Sequence, residues 1–280
     1  MRKTIFNGIS KTPPTGGGTT TFTSSEIDGG GMTALHVILG DGTGAGNLAA
    51  GKFTRFRAKA NGATIWDCSI AQLQALLERY SPANFAFGSS AKRFTIPFND
   101  FRMPLNADSD RLQFPPGALP QFELDNSSYT AGTNPGTITL AWSKNDEIEP
   151  EGFSKFISQQ TNIPSGVNNL IRVPISELGD VRGLTIPDDA HVSRLRIVLN
   201  GDEVFNAPGT GFGSGTGSAL LEVGQLEDGT TITDPIFLEL ESGSPALSGN
   251  SWAELVTIAG FAASTEIAIY SVEHLKAMGG

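Results

Sequence analysis

Three histidines, one cysteine and a scatter of carboxylates are the reactive groups of this 280-residue chain. His36, His191 and His274 stand in strand-like or terminal settings, each without a partner at motif spacing. No H-E-x-x-H, H-x-H or G-x-S-x-G occurs, so the common zinc-hydrolase and serine-hydrolase patterns are missing. Gly46, Gly51 and Lys52 nearly spell a phosphate-binding loop. That motif needs Ser or Thr after the lysine to hold the metal, then a helix whose first amides face the phosphates. Here Phe53 follows, Thr54 comes one place late, and the next segment reads as a strand. Gly40-x-Gly42 and the Gly209–Gly217 tract also lack the strand-to-helix context of a dinucleotide site, and read as flexible loops.

Acidic pairs are the remaining candidates: Asp108 with Asp110, Asp188 with Asp189, and Asp202 with Glu203. They could bind structural Ca²⁺ through loop oxygens, but none has full ligand spacing, and solvated turn carboxylates explain them as well. Two distant carboxylates could also serve a glycosidase. Sugar sites lean on aromatic platforms, though, and three Trp plus three Tyr is a thin supply. The lone Cys68 excludes an internal disulfide, a Cys-rich zinc site and an iron–sulfur cluster. No catalytic, cofactor-binding or metal-ligating residue is assigned, and the expectation is a protein that is not an enzyme.

The net charge of −10 disfavours nucleic acid, whose phosphates need clustered Lys and Arg. Basic residues gather only at Arg55 and Arg57, Lys92 and Arg93, and Arg194 and Arg196. The N-terminus has the charges of a signal peptide without its apolar stretch. No run approaches 18 apolar residues; the best, Trp252 to Ala263, carries Glu254. Cytoplasmic synthesis and no membrane span are expected.

The elements that carry these residues are mostly strands. Charged residues are scarce at 17%, with 34 Gly, 16 Pro and 17 Phe, a composition suited to short strands joined by turns. Strand patterns run over Leu35–Leu39, Phe53–Ala60, Phe94–Phe98, Thr137–Trp142, Asn169–Ile175, Val192–Leu199, Ile236–Leu240 and Glu266–Val272, with a short candidate at Thr19 to Ser24. Phe94, Ile96 and Phe98 alternate onto one face. One helix breaks the series: Ile70, Leu73, Leu76, Leu77 and Tyr80 recur at helical spacing, Asp67 or Ser69 can cap the start, and Pro82 forbids continuation. Pro150 to Gln159 reads as a further helical turn within an acidic connector. Residues 1–16 read as an arm without a core of its own, ordered by a neighbour.

An internal echo organises the chain. FTRFRAKANGATIW at 53–66 and VSRLRIVLNGDEVF at 192–205 share Arg55/Arg194, Arg57/Arg196, Asn61/Asn200 and Gly62/Gly201 at an offset of 139. Each is a strand, an Asn-Gly turn and a second strand, the strongest short-range hairpin signal. Two unrelated hairpins would share the turn, but an offset of half the chain favours duplication of fold. An eight-stranded sandwich needs about 100–130 residues, so two fit. The fold class expected is all-β, with an arm at 1–16, one jelly-roll sandwich over 17–148 and a second over 149–280.

This arrangement of arm, β unit with hairpin and amphipathic helix, acidic connector and second β unit resembles a double jelly-roll major capsid protein. The likeness is to the small ones of icosahedral, internal-membrane bacteriophages of the corticovirus type. It is carried by KFTRFRAKANGATIWDCSIAQLQALLERY (52–80), KRFTIPF (92–98), HVSRLRIVLNGDEVF (191–205) and STEIAIYSVEHL (264–275). The resemblance implies a homotrimer presenting six barrels as a pseudo-hexameric tile, with neighbouring capsomers and minor capsid or penton proteins as partners. It implies a virion location after assembly in the host cytoplasm, and an N-terminal arm in peripheral contact with an internal membrane. No direct nucleic-acid contact is expected. Arg55/Arg57 and Arg194/Arg196 could be interface cations at equivalent positions, or ordinary strand-face arginines. The alternative is a carbohydrate-binding or spike-like β-sandwich module.

Overall fold

The computed structural model describes residues 3–23, 27, 29–40, 48–80, 92–100, 108–130, 136–162, 170–175, 179–187, 191–207, 235–245, 250–257 and 264–275. Its packing separates two units: residues 1–154 with 274–280, and residues 155–273.

Unit 1 carries β1 (Lys3–Lys11), β2 (Gly18–Phe22), β3 (Met32–Gly40), β4 (Phe53–Ala60), β5 (Ala63–Ser69), β6 (Arg93–Pro97), β7 (Pro120–Asn126) and β8 (Thr137–Lys144). They form one sheet in the order β1-β8-β3-β6 and a second run in the order β5-β4-β7-β2. β1 lies within the stretch read from sequence as an arm, and its register on β8 runs from Lys3 opposite Lys144 to Lys11 opposite Ile138. Alternation fills the interior. Phe56 and Ala58 of β4, and Phe122 and Leu124 of β7, are buried, while Arg57 and Glu123 between them are not. The core is aromatic: Phe98 sits 5.7 Å from Trp66, 5.4 Å from Phe114 and 6.0 Å from Phe122, and Phe56 lies 6.3 Å from Phe122.

The one α-helix among the described residues, α1 (Ile70–Tyr80), grows directly out of β5. Ser69 Oγ accepts the Gln72 amide (3.1 Å) and Gln72 Oε1 accepts the Ser69 amide (2.8 Å), a reciprocal capping box. Leu73, Leu76 and Leu77 are buried on one stripe, each contributing about 1.5–3 kcal/mol by leaving water.

Unit 2 carries β9 (Gly152–Asn162), β10 (Leu170–Pro174), β11 (Asp180–Ile186), β12 (Val192–Leu199), β13 (Asp202–Ala207), β14 (Ile236–Pro245), β15 (Trp252–Thr257) and β16 (Ser264–His274), although the first three residues of β9 pack in unit 1. The orders are β10-β15-β12-β13 and β14-β11-β16-β9. Its core is aliphatic: Leu184, Leu195, Ile197, Leu238, Leu255, Ile267 and Ile269 are central members. The helical turn expected over 150–159 is not formed; β9 runs there instead. Its fully inward positions are Gly152, Ser154 and Phe156, while Phe153 and Ile157 are half-buried, so small and polar residues mask the alternation.

The two hairpins superpose in register. Phe56 faces Cys68, Arg57 faces Asp67 and Ala58 faces Trp66; 139 residues on, Leu195 faces Ala207, Arg196 faces Asn206 and Ile197 faces Phe205. Each then carries one extra residue, Ile65 on β5 and Val204 on β13. A second bulge repeats as well, with Thr54 and Ser193 as the extra residues. Thr54 Oγ1 donates to the Asp125 carbonyl (3.4 Å) and Ser193 Oγ to that of Val256 (3.1 Å). Asn61 (φ 51°) with Gly62 (φ 82°), and Asn200 (φ 55°) with Gly201 (φ 90°), make both turns of type I′. A Cβ at either glycine meets nothing within 4 Å, so the cost of substitution is conformational alone. Gly62→Ala and Gly201→Ala should each lower stability by about 1 kcal/mol in urea unfolding. An unchanged midpoint would contradict the left-handed turn.

Candidate functional site

Because the inward residues of β4 and β7 alternate with outward ones, the outer face of the β5-β4-β7-β2 sheet collects charge. Arg57 is its centre: Nη1 and Nη2 donate to the two carboxylate oxygens of Asp125 at 3.1 and 2.8 Å. Its Nε lies 3.5 Å from Asp67, and Arg55 Nε donates to Asp67 at 2.5 Å. Lys59 Nζ and Gln121 Nε2 donate to Glu123 Oε1 at 2.5 and 2.6 Å, and Thr19 Oγ1 to Asp125 at 2.6 Å. Three cations and three carboxylates thus close a half-buried network in which the bidentate fork on Asp125 supplies the strongest geometry. Burial and the neighbouring Arg55 pull the Arg57 pKa down, but the hydrogen bond and charge of Asp125 and the charge of Asp67 outweigh them and raise it.

Burial pushes the Glu123 carboxyl up, but hydrogen bonds from Lys59 and Gln121 and the charges of Lys59 and Arg57 outweigh it and hold the group below its ordinary 4.5. A carboxyl with a depressed folded pKa stabilises the fold above its unfolded pKa, and loses that contribution as pH falls through the folded value. Stability should therefore decline from about pH 4.5 downward, and Glu123→Gln should flatten that decline in pH-dependent urea unfolding. Parallel acid limbs for the two proteins would dismiss the network as a source of stability.

The corresponding face of unit 2 is dressed differently. Arg196 Nε pairs with Glu203 at 2.5 Å, Glu203 also accepts Asn206 Nδ2 at 3.0 Å, and Arg194 Nε reaches Asn206 at 3.4 Å. Hydrogen bonds from Arg196 and then Asn206 hold Glu203 below the ordinary carboxylate range. Arg172 of β10 pairs with Glu254 (2.9 Å) and lies over the Trp252 ring, 5.1 Å from its centroid. The arginine pairs singled out in the sequence therefore occupy matching positions, each bound first to partners within its own sheet. The carboxylates Glu123 and Asp125 are absent from the sequence reading, because β7 opens with Pro120 and has only two inward apolar side chains to announce it.

The other candidates do not converge. Asp110 is buried and accepts Asn145 Nδ2 at 2.8 Å; the Asp108 side chain and both Asp188 and Asp189 lie outside the described residues. Asp202 and Glu203 open β13. Among the described residues no three His, Cys, Asp or Glu side chains form a metal-binding group. His36 bridges hydroxyls across its sheet, Thr95 at 2.9 Å and Ser143 at 2.7 Å, and burial lowers its pKa. His274 is exposed at the end of β16. Lys52 closes a short 3-10 turn that leads into β4, with Gly46 outside the described residues, so no helix follows the glycine-lysine pattern.

In both units the first strand pairs with the eighth, the eighth with the third and the third with the sixth, while the fourth strand lies between the fifth and the seventh. The chain is similar over its whole length to the major capsid protein P2 of bacteriophage PM2, with a TM-score of 0.68, 10% identity and both chains fully covered. The fold is the double jelly roll. The STIV major capsid protein matches at TM-score 0.60 and 11% identity, over 97% of this chain and 95% of that one. The PBCV-1 capsid structure matches at 0.53 and 11%, over 100% and 96%. No protein-family model and no curated protein matches the chain in sequence. At such identity the likeness resides in strand order, and the double jelly roll here places its one described helix between the fifth and sixth strands of the first barrel.

Proposed function

We propose that this protein is a viral major capsid protein whose trimers are pseudo-hexameric capsomers of an icosahedral shell around an internal membrane. The observation that carries the reading is the repeat itself: two barrels with one strand order and one hairpin register, in a chain alike from end to end to capsid proteins. Three chains with two like barrels each offer six similar lateral faces, so a threefold oligomer fills a six-sided lattice position by near-equivalent contacts. The body carries excess negative charge, which suits a shell kept from its genome by lipid. The role is structural and needs no active site.

Native mass spectrometry of the full chain tests the proposal, with trimers and higher assemblies expected. A protein that stays monomeric at every concentration and salt condition tried would overturn it. Electron microscopy of the assembled material should show hexagonal tiles.

A further inference from the structure

The shared hairpin register makes two strand edges directly comparable. In unit 1 the outer edge of β5 is covered. Ile65 and Trp66 are buried, Trp66 Nε1 donates to the Ser154 carbonyl at 3.0 Å, and Ser154 Oγ donates to the Phe98 carbonyl at 3.3 Å. Ser154 lies in the three residues that open β9, and these pack within unit 1. In unit 2 the matching strand, β13, ends its sheet, and among the described residues no strand pairs with its outer side. Val204 and Phe205, the counterparts of Ile65 and Trp66, are only half-buried against the aliphatic core. An edge with a Val-Phe pair, and with no Pro or Lys to blunt it, is a template for a further strand.

We propose that β13 is the docking edge for a second copy of this chain, and that the strand it receives there is the copy's β1. β1 corresponds in unit 1 to β9 in unit 2, since each opens its barrel and pairs with the barrel's last strand, and β1 itself lies at the end of its sheet. Its other side pairs with no strand among the described residues. Each chain thus owns one donor edge on its first barrel and one acceptor edge on its second. Such a contact is heterologous, and the capsomer reading requires it to close into a ring at three copies. The inference rests on the capsomer reading and supplies the contact that reading requires.

Hydrogen exchange on the full-length protein tests it, comparing the assembled form with monomer obtained by dilution. Amides of residues 202–207 and 3–11 should exchange about tenfold or more slowly in the assembly. Phe205→Lys, its monomer fold checked by near-ultraviolet circular dichroism, should weaken association by about thirtyfold. Trimers that form while both strands exchange as in the monomer would overturn this contact and leave the capsomer standing. Monomers alone would overturn the capsomer reading and this contact with it.

Discussion

Trp66→Ala will lower the stability of the protein by about 3–5 kcal/mol. The indole is fully buried, it meets Phe56 at 6.4 Å and Phe98 at 5.7 Å edge to face, and its Nε1 satisfies the Ser154 carbonyl. Truncation therefore leaves a large cavity inside an aromatic cluster and deprives a buried acceptor of its donor, two costs of the same sign. Urea unfolding followed through the remaining Trp142 and Trp252 measures it. Phe205→Ala, at the matching place in the second barrel, removes a ring that is only half-buried in the monomer and should cost about 1 kcal/mol. Equal losses at the two positions would contradict the different environments described for them.

Any side chain at position 183 will strain the second barrel. Gly183 sits where β11 shifts register against both β14 and β16. A Cβ there would come within 2.4 Å of Phe237 Cζ and 2.5 Å of the Leu238 carbonyl oxygen. The carbonyl is held by the β-ladder, and the Phe237 ring is buried edge to face on Tyr270, 6.4 Å away, so neither can yield freely. Overpacking of this kind costs about 1–3 kcal/mol for a methyl, and Gly183→Val should exceed that range. Phe237→Leu should recover part of the loss of Gly183→Ala in a double-mutant cycle, since it relieves the side-chain clash and leaves the carbonyl contact. Strict additivity would assign the whole strain to the backbone.

Where residues announce their own geometry, the chain is readable without coordinates. Asn61-Gly62 and Asn200-Gly201 need positive φ at consecutive positions, so they mark hairpins, and the strands before them run over the expected spans 53–60 and 192–199. Ser69, one of the two caps expected with Asp67, marks the helix start, and Gln72 three residues on completes its capping box. β9 stays hidden, since two of its three inward residues, Gly152 and Ser154, are small or polar groups admitted by packing that sequence alone does not display, and only Phe156 is apolar and large. β1 stays hidden because its pairing comes from β8, more than 130 residues away for Thr4 and Ser143. The charged face is half legible: Asp67 follows from the turn once Arg57 is placed, whereas Glu123 and Asp125 arrive from a distant strand.

Length, more than composition, is what the paired bulges at Ile65 and Val204 restrain. An extra residue bends its strand and steepens the local twist, and both barrels insert theirs at the same step of the ladder. The aromatic lining of one barrel and the aliphatic lining of the other show that substitution leaves this curvature intact. Deleting one residue between Asn61 and Asp67, or between Asn200 and Asn206, would instead remove the bulge and with it the local bend and added twist. Gaps in an alignment of relatives should therefore avoid these two stretches, even where scarcely a side chain is shared.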